Sequence, residues 1–534
     1  MRQYEMCELS YQTGKPKGSE VQIDLQGEFK REGSPDMLRV KGFYAGDGIC
    51  KVRFLPSHAG SYRYKITGLV EDEGTILVKP AKEGCHGIVR AAGTHLQHED
   101  GTWFYSFGTT VYALAHQDEA LTEETMQTLE KSPFNKIRMC TFPKHYVYNA
   151  NDPKCYAFYR KEDGSKISFC DNLGSKRVVA PFDPARPCYA FWDDFERKLE
   201  RLFSMGIQVD LILFHPYDRW GHSHMPLKDN LLYLDYALRR LSAYPGIWWS
   251  LANEYDLLFD WKLEDWYAVE EFIAKNDPYH HLLSNHNCIR LYDFERENVT
   301  HVSLQHRTMT LTDHLIAQYE KPVLYDECCY EGNLKEDWGS ISGKEMVNRF
   351  WKVTTPGGYC THGEVILDAD NEDPDSAVLW WAKGGKLKGT STERIAFLRN
   401  VIESLPGPLS PYVTGFGDIM YIPDDTFAKI IAGAPEGIGD ILRLMSGLPY
   451  YEKVFKSVNE HSFAGRVGNQ AFLFYYGENC FGRMIPQLPA EQTYKLEVID
   501  AWNMTRETIA TGYHPGKEVI LPGREYIALL ATAE

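Results

Sequence analysis

The chain has 534 residues, with 57 Lys and Arg against 74 Asp and Glu, so its formal net charge at pH 7 is −17. Hydrophobic residues at 43% and charged residues at 25% are ordinary values for globular proteins, which disfavours an intrinsically disordered chain, a collagen and a coiled coil. An acidic balance without a cluster of Lys and Arg disfavours binding to nucleic acid or to an anionic membrane surface. The length indicates about two to four domains.

Residues 1–86 predict an N-terminal β-sandwich domain. The segment VQIDLQGEF places Val21, Ile23 and Leu25 on one face of a strand, and ICKVRFLP and SYRYKITG continue the two-residue period. Clusters of Gly, Pro, Ser and Asp separate these segments, as is typical of turns between antiparallel strands.

The opening MRQYEMCELSYQ lacks a basic stretch followed by an apolar one, and no apolar run approaches 18 residues. We therefore expect no export signal and no membrane span.

Residues 87–408 predict a parallel (β/α)₈ barrel, so the fold class is α/β with β domains on either side. Short apolar runs alternate with amphipathic helical patterns such as FWDDFERKLERLFSMG and LEDWYAVEEFIAKNDP. Eight runs are strand candidates, in chain order: WFYSFGTTVY (103–112), NKIRMCTF (135–142), IQVDLILFHP (207–216), GIWWSLANE (246–254), LLSNHN (282–287), HVSLQH (301–306), KPVLYDE (321–327) and GGYCTHGEV (357–365).

Residues 409–534 predict a linker followed by a C-terminal antiparallel β-sandwich domain. The prolines of LPGPLSPYV mark the boundary, and AFLFYYG, YKLEVIDAW, KEVILPG and YIALLA are typical of short strands.

Within the barrel, residues 145–190 show no clear period, and we expect a long loop there that shapes a pocket above the second strand. An insertion without function is the alternative for this loop.

The 12 Cys are scattered along the chain and form no CxxC pair. In a chain of this length without an export signal, that pattern is typical of reduced thiols and not of a disulfide framework or a structural zinc site. We therefore expect a cytoplasmic location.

Two glutamates close predicted barrel strands. Glu254 ends the fourth strand, and Glu327 ends the seventh. Strands four and seven lie on opposite sides of a barrel mouth, so these carboxyl groups can face each other across it. Cleavage of a glycosidic bond needs such a pair, because one protonated carboxyl donates to the leaving oxygen while an ionised one attacks or stabilises the sugar cation. Either glutamate taken alone is equally compatible with a surface position or an ion pair.

An apolar strand that ends in Asn253 and Glu254, with a second Glu closing a later strand, resembles the glycoside hydrolases of clan A, the four/seven superfamily. The resemblance implies a retaining mechanism in which Glu254 is the acid/base, Asn253 contacts the sugar 2-hydroxyl and Glu327 is the nucleophile. GFYAGDGICKVRFLPSHAGSYRYKITG, GIVRAAGTHLQHEDGTWFYSFGTTVYAL and YKLEVIDAWNMTRETI resemble the N-terminal domain, the first barrel strand and the C-terminal domain of poorly characterised members. One departure is Tyr255, where Pro is commoner.

Asp326 is the competing nucleophile, because it precedes Glu327 directly. Successive residues of a strand point to opposite faces, so we expect only one of the two to face the barrel axis. The clan pattern favours Glu327. We expect Asp326 to be buried among hydrogen-bond donors or to face the surrounding helices.

Further substrate-binding candidates lie at strand ends and in the loops that follow them: Arg138, His215, Tyr217, His222, His306 and Trp381. The clan resemblance implies that Arg138 holds the nucleophile ionised and that Trp380 or Trp381 forms an aromatic floor for the sugar. Imidazoles can hydrogen-bond sugar hydroxyls, although buried structural histidines are the alternative. His222 and His224 form an HxH motif without a third ligand of matching spacing or an HExxH helix, so we predict no metal site and no cofactor.

These observations together predict a retaining glycoside hydrolase with a carbohydrate substrate. A cytoplasmic location suggests imported oligosaccharides or glycosides and hence exo action. An endo-acting glycanase of the same clan and a non-catalytic carbohydrate-binding protein remain alternatives. The acidic surface and the additional β domains permit a homo-oligomer.

Overall fold

The computed structural model describes residues 1–172, 174–369, 376–412, 424–435, 437–447 and 463–534. At the N-terminus a three-stranded and a four-stranded antiparallel sheet enclose a core that includes Leu25, Phe29 and Val52, which confirms the predicted sandwich. The strands are β1 (Cys7–Gln12), β2 (Leu25–Arg31), β3 (Met37–Lys41), β4 (Phe43–Gly46), β5 (Ile49–Phe54), β6 (Gly60–Gly68) and β7 (Asp72–Val78).

The middle of the chain alternates strands and helices. In chain order these are β8 (Val89–Ala92), β9 (His95–His98), β10 (Phe107–Thr110), α1 (Glu119–Glu130), β11 (Lys136–Cys140), β12 (Phe158–Arg160), β13 (Ile167–Cys170), β14 (Lys176–Val179), β15 (Phe182–Pro187), α2 (Tyr189–Ser204), β16 (Gln208–Phe214), α3 (Leu227–Leu241), β17 (Ile247–Ala252), α4 (Leu263–Asn276), β18 (Leu283–Ser284), β19 (Val302–Gln305), α5 (Thr312–Tyr319), β20 (Val323–Glu327), β21 (Glu331–Gly332), α6 (Gly343–Thr354), β22 (Tyr359–His362), β23 (Glu364–Val365), α7 (Trp380–Lys383), α8 (Thr392–Glu403) and β24 (Ser410–Pro411).

Eight of these strands form one parallel sheet in the order β18-β17-β16-β11-β10-β22-β20-β19. A parallel bridge between His286 and Ser303 joins its two outer strands, so the sheet closes into the predicted barrel. All eight predicted strand segments contribute a strand to it. Strands such as β16 and β17 are buried along their whole length, which explains their continuous apolar sequences.

Helix α2 shows how the surrounding layer forms. Its apolar residues recur at helical spacing and are buried against the barrel, including Phe195, Leu199 and Leu202. Helix α1 begins where the Asp118 side chain accepts a hydrogen bond from the Leu121 backbone amide at 2.9 Å.

A buried charge cluster joins the N-terminal sandwich to the barrel helices. The Arg53 guanidinium of β5 donates to both carboxylate oxygens of Glu196 in α2, at 2.7 and 2.9 Å. Arg240 of α3 donates to the same carboxylate at 2.6 Å. Because these groups are almost fully buried, the pairing fixes the sandwich to the side of the barrel.

The segment expected to be a long loop, residues 145–190, contains two small antiparallel ribbons, β12 with β15 and β13 with β14.

After the barrel come α9 (Asp424–Gly433) and α10 (Ile438–Ser446), which the sequence patterns did not predict. The C-terminal strands are β25 (Phe463–Val467), β26 (Ala471–Tyr475), β27 (Arg483–Met484), β28 (Tyr494–Asp500), β29 (Thr505–Tyr513), β30 (Val519–Ile520) and β31 (Ile527–Ala533). They confirm an antiparallel β domain, whereas the predicted boundaries at residues 86/87 and 408/409 stay predictions.

Among the described residues, no helix combines the length and the apolar character that crossing a membrane requires.

Candidate active site

A cavity of about 280 Å³ lies at the carboxyl ends of the barrel strands. Residues from several strand ends and loops line it: Lys144, Tyr146, Tyr217, Glu254, Cys288, Gln305, His306, Arg307, Glu327, Cys329, Tyr330, Trp338 and Trp381. Both glutamates singled out from the sequence are among them. A polar, aromatic-lined cavity at this end of a (β/α)₈ barrel is where catalytic groups are expected.

Glu254 follows β17 in a strained backbone conformation. Its φ of 53° and ψ of 58° lie in the left-handed region, which side chains with a Cβ rarely adopt and which costs about 1–3 kcal/mol. Its backbone amide donates to Nδ1 of His286 at 3.3 Å. Two side chains donate to the same carboxylate oxygen, Tyr217 through its hydroxyl and Asn253 through its amide at 3.1 Å. The strain and these contacts together hold the carboxyl group toward the cavity.

Burial raises the pKa of Glu254 to about 7, and the negative charge of Glu327 adds to the increase. The positive charge of Lys144 and the hydrogen bond from Tyr217 act in the opposite direction. A carboxyl group with this pKa is protonated over much of the acidic and neutral range, so Glu254 can donate a proton near neutral pH.

Glu327 ends β20 and accepts a hydrogen bond from the hydroxyl of Tyr112, which follows β10. The Gln305 amide nitrogen, in the orientation that satisfies both ends of the amide, donates to Glu327 Oε2 at 2.8 Å and to Glu254 Oε1 at 3.1 Å. Gln305 therefore bridges the two carboxyl groups directly.

This bridge limits the separation of the two carboxyl groups. Since one nitrogen contacts both, the two oxygens lie within about 6 Å of each other, close to the roughly 5–5.5 Å of retaining glycosidases and below the roughly 6.5–9.5 Å of inverting enzymes.

Asp326 also faces the barrel interior, below Glu327. It is fully buried, forms an ion pair with Lys136, and accepts hydrogen bonds from Ser303 at 2.6 Å and Thr361 at 3.0 Å. The expected burial among donors is confirmed. The positive charges of Lys136 and Arg138 outweigh burial and hold the pKa of Asp326 well below its usual range.

The expectation that only one of the two neighbouring acids would face the axis is wrong. In the pairing of β19 with β20, Leu304 lies opposite Tyr325 but Gln305 lies opposite Glu327, so Asp326 is an extra residue. Such a β-bulge changes the direction of the side chains that follow it, which brings Glu327 into the cavity above Asp326.

Replacing Lys136 with methionine is expected to lower the free energy of unfolding by about 3–5 kcal/mol, because Asp326 would keep a buried charge without its partner. Urea denaturation measures this change. Lys386→Met is the matched control, since Lys386 is exposed and pairs with Glu124 at the surface, where about 1 kcal/mol or less is expected. Equal losses in both variants would contradict the assigned pairing.

The structure brings five of the predicted substrate-binding residues to the site. Tyr217, His306 and Trp381 line the cavity. Asn253 contacts Glu254. Arg138 lies fully buried beneath the cavity, 3.1 Å from Asp210, with its charge acting on both Asp326 and Glu327.

His215 and His222 do not line the cavity. Nε2 of His215 lies 3.2 Å from the carbonyl oxygen of Phe142, and the ring is fully buried. The His222 ring stacks between Phe142 and Phe182, with centroid distances of 4.3 and 3.7 Å. Both side chains pack in the protein interior beside the barrel mouth. This agrees with the alternative that they are buried structural histidines and not sugar-binding residues.

Several residues of the site were not singled out from the sequence, above all Tyr112, Lys144 and Gln305. Tyr112 ends predicted strand one, and Gln305 is the next-to-last residue of predicted strand six, and a position at a strand end is a usable signal. Nothing in the sequence marks Lys144, which follows β11 in an irregular segment.

Among the described residues, one buried group of acids and histidine is compact enough to hold a metal ion: Glu331, His362 and Glu364, with ligand atoms within 4.8 Å of one another. The Glu331 carboxylate accepts four hydrogen bonds, all from Thr390 and Ser391, just before the start of α8. Backbone amides of residues 388 and 389 donate to Glu364. These hydrogen bonds explain why both acids are buried here: each binds backbone or side-chain donors of the segment that leads into α8.

Three family models match successive parts of the chain. Residues 90–406 match the model described as Apiosidase-like, catalytic domain. Residues 1–68 match DUF5060, and residues 461–532 match DUF5605, both domains of unknown function. No curated protein sequence matches the chain.

Solved structures match over most or all of the chain. A provisionally assigned glycoside hydrolase from Bacteroides vulgatus ATCC 8482 is 30% identical with a TM-score of 0.82, covering 100% of this chain and 99% of that chain. A glycoside hydrolase of family 5 from the same organism is 16% identical with a TM-score of 0.56, covering 84% and 93%. A further structure, described as a glycoside hydrolase, is 16% identical with a TM-score of 0.56, covering 84% and 97%. The last two share the fold.

Proposed function

We propose that this chain, which belongs to the family of Apiosidase-like catalytic domains, is a retaining, exo-acting glycoside hydrolase. Family membership and the barrel confirm the predicted class of glycoside hydrolase and a carbohydrate substrate. The observation that supports the retaining mechanism is the contact of one Gln305 nitrogen with both Glu254 and Glu327, because it limits the distance between the two carboxyl oxygens to less than that of inverting enzymes.

In the proposed reaction, Glu254 donates its proton to the departing glycosidic oxygen while a Glu327 oxygen attacks the anomeric carbon. The bond between that carbon and the leaving oxygen breaks, and a glycosyl ester with Glu327 forms. Glu254, now ionised, takes a proton from water, which attacks the same carbon and releases the sugar. Tyr112 and Gln305 stabilise the negative charge that Glu327 carries before attack and regains after hydrolysis.

Exo action is supported by the size of the cavity. A volume of about 280 Å³ is at the lower limit of small-molecule sites, which begin near 300 Å³. Such a space suits the terminal sugar of a short substrate better than the interior of a polymer. The flat rings of Trp381 and Trp338, 5.6 Å apart, offer apolar faces for a sugar.

A panel of p-nitrophenyl α- and β-glycosides, with pyranose and furanose rings, tests this function. We expect hydrolysis of one terminal sugar, and proton NMR of the first product is expected to show the anomeric configuration of the substrate. A product of inverted configuration would contradict the retaining mechanism. Release of internal fragments from an oligosaccharide, without terminal monosaccharide, would contradict exo action.

The pH dependence of kcat/KM is expected to reflect the proton on Glu254. Its pKa is raised to about 7, so kcat/KM falls as the pH rises through that value, because the ionised group cannot protonate the leaving oxygen. Stopped assays at constant ionic strength measure this limb. In Tyr217→Phe the limb is expected to move to higher pH, since the Tyr217 hydrogen bond lowers the Glu254 pKa. A limb near pH 4.5 in the unaltered enzyme would contradict this assignment of the acid.

We place the enzyme in the cytoplasm. All 12 cysteines are free thiols and six of them are buried, including Cys328 and Cys360, whose sulfur atoms lie 3.6 Å apart without forming a disulfide, which fits a reducing compartment. We also propose that the chain forms a homo-oligomer, and sedimentation velocity would test this.

A further inference from the structure

Lys144 is a buried lysine in the wall of the cavity. Burial lowers the pKa of its amine, and the negative charges of Glu327 and Glu254 act in the opposite direction. The side chain is 4% exposed, yet it lines the cavity between the two catalytic candidates. Its Nζ atom lies over three aromatic rings, 3.7 Å from the Tyr112 centroid, 4.3 Å from Tyr217 and 5.2 Å from Trp381. Two of these rings belong to the tyrosines that donate to Glu327 and Glu254. The rings hold the charge in place but offer no lone pair to its three N–H groups.

The nearby carboxyl groups bind other donors. Glu254 accepts from Tyr217 and Asn253, and Glu327 accepts from Tyr112. Beneath the cavity, Asp326 and Asp210 pair with Lys136 and Arg138. Within the described part of the chain, Lys144 Nζ donates to none of these carboxylates.

A buried charge without an acceptor is costly, so such a group persists where function requires it. Lys144 lines the cavity in which the proposed substrate binds, so its N–H groups are available to a ligand there. A hydroxyl oxygen would satisfy one donor, whereas a carboxylate would supply two acceptor oxygens together with an opposite charge.

We infer that Lys144 binds a carboxylate of the sugar held between Glu254 and Glu327, so that the substrates are glycosides of acidic, uronate-type sugars. This inference rests on the proposed function, since it assigns the substrate class of the same site. Lys144 then acts as a specificity-determining residue: it forms an ion pair when the acidic sugar enters and has no equivalent partner when a neutral sugar enters.

Equilibrium binding of free sugars tests the inference without requiring turnover. The probes are matched pairs that differ only at C6: glucuronate and glucose, galacturonate and galactose, mannuronate and mannose, each titrated into the full chain by calorimetry at neutral pH. At least one uronate is expected to bind more tightly than its neutral parent by on the order of 10- to 100-fold, the range for a hydrogen bond to a charged group. Lys144→Met and Lys144→Gln are both expected to abolish this preference.

Lys335→Met is the matched control, because Lys335 is 87% exposed, lies outside the cavity lining and undergoes the same chemical change. It is expected to keep the preference for the uronate. Thermal unfolding of both Lys144 variants establishes that they are folded, and persistence of the preference in either folded variant overturns the inference.

Tighter or equal binding of the neutral parent in every pair also overturns the inference and assigns Lys144 to balancing the charge of Glu327. In that case hydrolysis of neutral glycosides that depends on Glu327 would leave the proposed function standing. Conversely, Lys144-dependent binding of a uronate without hydrolysis of any of its glycosides would support the binding role while the proposed function fails.

Discussion

Replacing Glu327 with alanine is expected to lower kcat/KM for the responsive glycoside by on the order of 10⁵-fold or more, the scale seen when a covalent nucleophile is removed. Without this carboxylate no glycosyl ester can form, and the positive charge that develops on the sugar ring loses its nearest counter-charge. Steady-state kinetics with a sensitive fluorogenic aglycone measures the loss. The fold is expected to persist, because Glu327 lines a cavity and Asp326, Lys136 and Arg138 keep their own pairings.

Azide provides a sharper readout of the same variant. In the space left by the side chain, azide can attack the anomeric carbon from the face that Glu327 occupied, with Glu254 still donating its proton. The product is then a glycosyl azide of inverted configuration, which NMR identifies. Glu336→Ala is the control, since Glu336 accepts a hydrogen bond from Tyr148 beside the site but does not line the cavity. A loss of equal size in Glu336→Ala, or full activity in Glu327→Ala, would show that Glu327 is not the nucleophile.

The barrel was predictable from the sequence because its strands are buried on both faces and its helices on one. Continuous apolar runs such as IWWSLA and the helical spacing of FWDDFERKLERLFS are direct consequences of that burial. The two glutamates were predictable for a related reason: a charged residue that ends a buried strand must lie where the strand reaches the barrel mouth.

Other parts of the site depend on contacts between distant segments, which no local pattern encodes. Lys144 is placed by the rings of Tyr112, Tyr217 and Trp381, which come from two separate loops and from helix α7. The bridge of Gln305 between two carboxyl groups requires the bulge at Asp326, and a bulge adds one residue without leaving a marker in the hydrophobic pattern.

The two histidines that turn away from the cavity illustrate the same limit. His215 and His222 occupy positions after a barrel strand that equally suit a ligand contact, and only the surrounding packing decides the direction of each ring. His222 lies between Phe142, which follows β11, and Phe182, which belongs to the ribbon strand β15. The identity of a strand-end residue is therefore more predictable than its orientation.

Replacing Glu254 with glutamine is expected to have an effect that depends on the leaving group. For glycosides with a poor leaving group, kcat/KM should fall by about 10²–10⁴-fold, the usual contribution of a general acid. For a dinitrophenyl glycoside, whose phenolate departs without protonation, kcat/KM should fall far less. Hydrolysis of the intermediate would become rate-limiting, because no base remains to activate water. A burst of dinitrophenol followed by slow turnover in stopped-flow measurements is the expected signature.

The same variant separates Glu254 from a residue that only binds sugar. A binding residue would lower kcat/KM for both leaving groups by a similar factor, whereas an acid/base produces a loss that grows with leaving-group pKa. Glu264→Gln makes the same change on the exposed start of α4, one loop beyond Glu254, and should leave both values unchanged. The alkaline limb near pH 7 should also disappear from the glutamine variant, because the group with the raised pKa is gone. If the alkaline limb near pH 7 persisted in Glu254→Gln, the titrating group, and with it the proton donor, would be another residue.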